Sequence, residues 1–128
     1  MRKWEIVKGI FDSGIMTIIR TNSIDRAEEI VEAGLVAGIN VLEFSFNSKE
    51  SPEIIQYIRN KYGNKVFVGA GTILDAFDAK LAIRFGAQFI IAPNFNEEVA
   101  KICNREQIPY CPGCTTITEV IMAAEYGA

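Results

Sequence analysis

Ile39-Asn40-Val41-Leu42-Glu43-Phe44-Ser45-Phe46-Asn47 decides the fold. It is an apolar run of strand length with one carboxylate set into it. Side chains of a strand alternate between its faces, so Leu42, Phe44 and Phe46 share one large apolar face. Val41, Glu43, Ser45 and Asn47 share the other, which turns polar toward its C-terminal end. A carboxylate in such surroundings is hydrogen-bonded, paired or used. A sheet covered by helices on both faces leaves Glu43 hard to place. A barrel places it readily: Glu43 and Ser45 face a lumen where a site opens, and the aromatic face meets the helix layer.

The same strand-then-helix unit recurs on either side. Trp4 to Ser13 has helical spacing, with Trp4, Val7, Lys8 and Phe11 in register and Gly14 as its stop. Ile15 to Ile19 is a short strand ending at Arg20. Asn22 or Ser23 caps a helix bearing Ile24, Ala27, Ile30, Val31 and Leu35. After the central strand, Ser51-Pro52-Glu53 opens a third helix with proline in its first turn. Val66 to Ala70 is the next strand, followed by a helix opening near Asp75. Gln88 to Ala92 precedes a helix starting at Asn96-Glu97-Glu98. Ile108 to Cys111 precedes a helix capped by Thr116 or Thr118. Strands that begin near residues 15, 40, 66, 88 and 108 as apolar runs predict a parallel α/β sheet. We read it as the first five βα units of a (β/α)8 barrel. Helix-to-strand junctions at Ala37-Gly38-Ile39 and Phe85-Gly86-Ala87 recur at Tyr126-Gly127-Ala128. A sixth strand is therefore expected to follow, and residues 1–128 are expected to form a single, incomplete barrel domain. An open arc would expose the edges of the first and fifth strands and an unfilled lumen.

Composition narrows the function. The 128 residues are 49% hydrophobic, as befits one globular domain. A net charge of −3 without a basic stripe argues against nucleic acid as a partner. No apolar run reaches the roughly 18 residues of a membrane span, and Glu5, Lys8 and Asp12 interrupt any signal-peptide core. A cytoplasmic protein with no membrane partner is expected. There is no histidine, which removes histidine-dependent triads and most zinc chemistry.

Polar residues gather at the C-terminal ends of the expected strands: Arg20, Glu43 with Ser45 and Asn47, Thr72, Asn94 and Thr115. That edge holds the ligand in barrels and open α/β sheets. Arg20 offers a planar fork for a carboxylate or phosphate. Glu43, its pKa raised by burial, suits proton transfer; a plain buried Arg20–Glu43 ion pair is the competing reading. Gly69-Ala70-Gly71-Thr72 lacks the later Gly-Lys-Ser/Thr of a phosphate loop and suits a tight strand-to-helix turn. Cys111-Pro112-Gly113-Cys114 has the spacing of a thiol redox pair, although a run of five βα units does not match a thioredoxin-like sheet.

Ile18-Ile19-Arg20, Val41-Leu42-Glu43-Phe44-Ser45-Phe46, Val68-Gly69-Ala70-Gly71-Thr72-Ile73-Leu74, Ala92-Pro93 and Pro112-Gly113-Cys114-Thr115-Thr116 follow in this order. Together they resemble the 2-keto-3-deoxy-6-phosphogluconate aldolases, which also act on 4-hydroxy-2-oxoglutarate. The resemblance covers the N-terminal three-fifths or so of such a protein. It implies a (β/α)8 barrel, commonly a homotrimer, and a class I aldolase that uses no metal or cofactor. The substrate would be a 2-keto acid cleaved to pyruvate and an aldehyde through a lysine Schiff base. By resemblance, Glu43 is the catalytic proton relay, Arg20 and Thr72 hold the pyruvate carboxylate, and Pro93 lines the pocket. Asn47 stands where many members carry an arginine for that carboxylate. The family's lysine lies in a segment beyond Ala128, so the chain as given is expected to be inactive. Two alternatives remain: a thiol redox protein using Cys111 and Cys114, and a non-catalytic relative that binds pyruvate.

Overall fold

The computed structural model describes residues 2–128. Among them, helices and strands alternate as α1 (Arg2–Ser13), β1 (Thr17–Ile19), α2 (Ile24–Val36), β2 (Val41–Ser45), α3 (Ser51–Tyr62), β3 (Phe67–Gly71), α4 (Ala76–Arg84), β4 (Phe89–Ala92), α5 (Glu97–Glu106), β5 (Tyr110–Pro112) and α6 (Ile117–Glu125). A single 3-10 turn, Gly63–Lys65, leads into β3. The helix starts follow from their caps. Ser23 accepts from Arg26 N, Asp75 from Asp78 N, and Asn96 from Glu98 N and Val99 N. Thr116 and Glu119 close a reciprocal capping box on α6. None of these helices is long and apolar enough to cross a membrane.

The five strands form one sheet in the order β1-β2-β3-β4-β5, each pair parallel. A doubly wound sheet reverses direction at a switch point. Here every strand joins its sequence neighbour, which is the winding of a (β/α)8 barrel. In two strands a local breaker delays the start of the ladder. β1 begins at Thr17 because Gly14, at φ +66°, turns the chain out of α1 and leaves Ile15 exposed. β5 begins at Tyr110 because Pro109 has no N–H for the ladder; its carbonyl still accepts from Ile90 N at 2.9 Å.

The two faces divide as the alternation around Glu43 requires. Leu42 and Phe44 of β2, Val68 and Ala70 of β3, and Ile90 and Ala92 of β4 enter the core beneath the helices, with Ile54, Ile55 and Ile58 of α3. Val41, Phe67, Phe89 and Ile91 face the other way. Helix α1 covers them: Ile6 is buried with Val41 and Phe89, and Ile10 packs alongside. Gly9 lets the helix settle onto Phe67, since a Cβ there would fall within the Phe67 ring. The expectation of an unfilled lumen is therefore corrected for its base, which α1 fills. The polar part of the lumen lies toward the C-terminal ends of the strands.

Candidate active site

Glu43 sits in the middle of β2, paired in register with Ile18 of β1 and Gly69 of β3. The residue is 5% exposed. Its side chain leans toward the C-terminal end and lies over Gly71, where a Cβ would fall inside its carboxyl group. One position back, Gly69 gives up its Cβ space to the ring of Phe89. The two glycines of β3 thus leave room for two lumen side chains from neighbouring strands. One makes a dry floor and the other a carboxylate above it.

No hydrogen bond or ion pair engages the Glu43 carboxylate among the described residues. Burial pushes its pKa above the ordinary 4.5, and the charge of Arg20 partly offsets that rise. Arg20, one residue past β1, is exposed. The structure thus corrects the reading of a buried Arg20–Glu43 ion pair: the guanidinium acts at a distance and remains open to a ligand. Ser45, two residues on and on the same face, is 3% exposed, and its Oγ has no hydrogen-bond partner.

Thr72 follows Gly71 directly and is exposed with φ +60°. A β-branched residue is a true outlier in the left-handed region, so strain is held at the rim of the lumen. Pro93 continues the lumen face of β4 and is exposed. Its carbonyl lies where a Cβ on Gly113 would stand, and Gly113 N donates to Ala92 O at 2.8 Å. Asn47 is placed differently. It is exposed beyond β2 and lines a cleft of about 460 Å³ with Phe46, Ser48, Pro52, Asp78 and Leu81, on the α3–α4 side. The strand ends bring Arg20, Glu43, Thr72 and Pro93 to one mouth of the arc, and Asn47 lies two residues beyond the end of β2.

Two supports of this rim escaped the sequence reading. The Tyr110 hydroxyl donates to Asn94 O at 3.2 Å and accepts from Asn96 N at 3.1 Å. Asn96 Nδ2 donates to Leu74 O at 3.3 Å, tying the loop after β4 to the loop after β3. Asn96 was visible only as a cap. The hydroxyl of Tyr110 acts across 14 residues of sequence, where no local pattern points to it. The backbone N–H groups of Thr115 and Thr116 are both taken by Glu119 Oε2, each at 2.8 Å.

Other chemistry is poorly served. A larger groove of about 470 Å³ lies between the starts of α2 and α3. Its Ser23, Asp25 and Glu53 cap or complement helix N-termini in solvent. Cys103, Cys111 and Cys114 carry free thiols. Cys111 is exposed, yet partial desolvation by the surrounding protein raises its pKa, with Lys3 partly offsetting it. That is the reverse of an activated thiol, and α6 starts only at Ile117, beyond Cys114. Among the lysines, Lys8, Lys49, Lys61, Lys65, Lys80 and Lys101 are exposed, and Lys3 donates to Gly127 O at 3.1 Å. Hydrogen bonds to Glu28 and to Glu97 raise the pKa of Lys61 and Lys101 respectively, away from what an amine nucleophile needs.

Residues 6–128 match the family model described as KDPG and KHG aldolase. The chain belongs to the KDPG and KHG aldolase family. It is 35% identical over 114 residues to the 2-dehydro-3-deoxy-6-phosphogalactonate aldolase of Escherichia coli (strain K12), covering 89% of this chain and 56% of that protein. It is 31% identical to the 2-dehydro-3-deoxy-phosphogluconate aldolase of Treponema pallidum (strain Nichols), covering 88% and 53%. Among solved structures, the 2-keto-3-deoxy-6-phosphogluconate aldolase of Zymomonas mobilis ZM4 with 3-phosphoglycerate superposes with a TM-score of 0.86. It is 25% identical and is matched over 96% of this chain and 58% of its own. The chain thus spans little more than half the length of the relatives it matches in the KDPG and KHG aldolase family.

Proposed function

We propose that this chain supplies the proton-relay part of a class I aldolase site. The enzyme would cleave 2-keto-3-deoxy-6-phosphogluconate, or a related 2-keto acid such as the phosphogalactonate named for the Escherichia coli relative, to pyruvate and an aldehyde. The observation that carries this is Glu43: a buried carboxyl with a raised pKa and no partner, in space that Gly71 leaves free.

In this reaction an amine adds to the keto carbon and water leaves, giving an iminium. The C4 hydroxyl loses its proton as the C3–C4 bond breaks. The bonding pair moves into the iminium to leave an enamine, and the aldehyde departs. The enamine then takes a proton at C3, and hydrolysis returns pyruvate and the free amine. Glu43 accepts the first proton and returns the second through a water. A raised pKa suits both duties near neutral pH. Arg20 and Thr72 bind the pyruvate carboxylate and Pro93 walls the pocket, while Asn47 stands in sequence where a second charged fork would be and opens on the α3–α4 side. A neutral amide there weakens the grip on the acid's carboxylate and leaves that task to Arg20. Assembly as a homotrimer belongs to the same reading.

None of the lysines described above suits the amine. We assign it to a segment beyond residue 128, so the 128-residue chain alone should be inactive. Borohydride reduction with pyruvate, followed by peptide mapping, tests this. The product of the complete coding sequence should carry one adduct on a lysine outside residues 1–128, and the 128-residue chain should carry none. An adduct on a lysine within residues 1–128 would overturn the assignment. Pyruvate binding to the complete product without any adduct would favour the non-catalytic relative.

A further inference from the structure

The alternation of β3 breaks at Thr72. Gly69 and Gly71 face the lumen, and Val68 and Ala70 enter the core beneath the helices. Strict alternation would carry Thr72 into that core and Ile73 into the lumen. Instead Thr72 is exposed and Ile73 is fully buried in the core. The left-handed φ of Thr72 makes this reversal. A threonine keeps such a conformation where its surroundings impose it. Thr72 does not hold itself, since its N–H and hydroxyl have no hydrogen-bond partner among the described residues. The hold comes from its flanks. Phe46 N donates to Gly71 O at 2.8 Å, and Ile73 N donates to Ile91 O at 3.2 Å. The third tie, Asn96 Nδ2 to Leu74 O at 3.3 Å, is the one made by a side chain. Asn96 has a separate duty at the other end of its amide. There Oδ1 accepts from Glu98 N at 2.9 Å and Val99 N at 3.2 Å, capping α5. A cap needs an acceptor, which aspartate and serine supply as well as asparagine. The donation to Leu74 O goes beyond what the cap requires.

We propose that Asn96 is a positioning residue that acts through Thr72. By gripping Leu74 O it keeps the chain from relaxing to an ordinary φ at Thr72, and so presents the Thr72 side chain to the carboxylate of the keto acid. The proposal rests on the aldolase reading above. Asn96 stands at the start of α5 and acts on the rim through the backbone of the loop after β3. It sets the fraction of the protein in which Thr72 is in place before the acid arrives. When the tie is lost that fraction falls, and the apparent affinity for the acid falls with it. Steps after binding do not pass through Asn96.

The test uses the product of the complete coding sequence, with Asn96→Asp and Asn96→Ser. Both keep an acceptor for the cap, and neither brings an amide donor to Leu74 O. One adds a charge and the other does not, so agreement between them isolates the lost donor. Borohydride trapping is followed against pyruvate concentration, beside thermal unfolding. Both variants should melt as the unsubstituted protein does and reach its limiting rate of trapping. Each should need roughly 3-fold to 10-fold more pyruvate for half that rate, the worth of one neutral hydrogen bond. Thr72→Ala removes the group to be positioned. In that background Asn96→Ser should move half-saturation by less than about 2-fold. A shift as large as in the unsubstituted background would mean that Asn96 does not act through Thr72, and would overturn the proposal. So would half-saturation unchanged in both variants, or a shift confined to the charged one. Lower melting of both variants would assign the tie to the fold and overturn it equally. Each of these results leaves the aldolase reading intact. An unsubstituted protein that traps no pyruvate would remove the aldolase reading and this proposal together.

Discussion

The Glu43 carboxyl makes a definite contribution to the pH response expected of this chain. Burial holds the Glu43 proton more tightly in the folded state than the ordinary value of 4.5 allows. From 4.5 upward Glu43 therefore holds its proton more fully in the folded chain than in the unfolded one, and its own contribution to stability falls as pH rises through that window. Glu43→Gln removes the ionisation and keeps the shape. Its melting temperature should exceed that of the unsubstituted chain near pH 7, with the gap closing once pH falls below 4.5; circular-dichroism melts across pH would show it, and parallel curves would contradict the sign. The site was partly legible at this scale. Alternation alone put Glu43 and Ser45 on one face, strand ends located Arg20 and Thr72, and Pro93 came only from the resemblance. What stayed hidden needed cross-strand register: that Gly71 exists to clear space for Glu43, and that Arg20 stands off from the carboxylate. The left-handed φ of Thr72 is invisible too, because threonine gives no local signal for it.

At the scale of elements, α1 shows how narrowly a helix is fitted. It lies on Phe67 through Gly9, with Ile6 and Ile10 reaching into the base of the lumen. Gly9→Ala should improve the helix's own propensity yet force the Phe67 ring aside. We expect a net loss of about 1–3 kcal/mol, read as a lower urea midpoint with an unchanged slope. A gain would mean that the helix can slide to make room. Element positions followed closely from sequence because caps and breakers are local: Ser23, Asp75, Asn96 and Thr116 start helices just where their side chains can accept. The late starts of β1 and β5 came from Gly14 and Pro109, whose effects compete with apolar runs that continue through them. What α1 covers was not legible. Amphipathic spacing gives a helix an apolar stripe without naming the surface it meets.

For the whole molecule, the winding order excludes a doubly wound sheet and leaves β1 and β5 without a second strand neighbour among the described residues. Beside these edges, Phe11 and Ile15 near β1, and Ile117 and Ile121 on α6, are exposed apolar surface. Unpaired edges flanked by such surface recruit partners. The 128-residue chain by itself should therefore sediment as an associated or exchanged species at micromolar concentration, and a monomer with one cooperative unfolding transition would refute that expectation. The seating of α1 also imposes a schedule on synthesis. Ile6 leaves the ribosome early, but the floor it packs against includes Phe89 of β4. At ordinary elongation rates roughly 4 to 17 s separate the two. Throughout that interval the greasy face of α1 meets only the part of its floor already made, Val41 of β2 and Phe67 of β3, so the lumen is sealed from below only once β4 arrives.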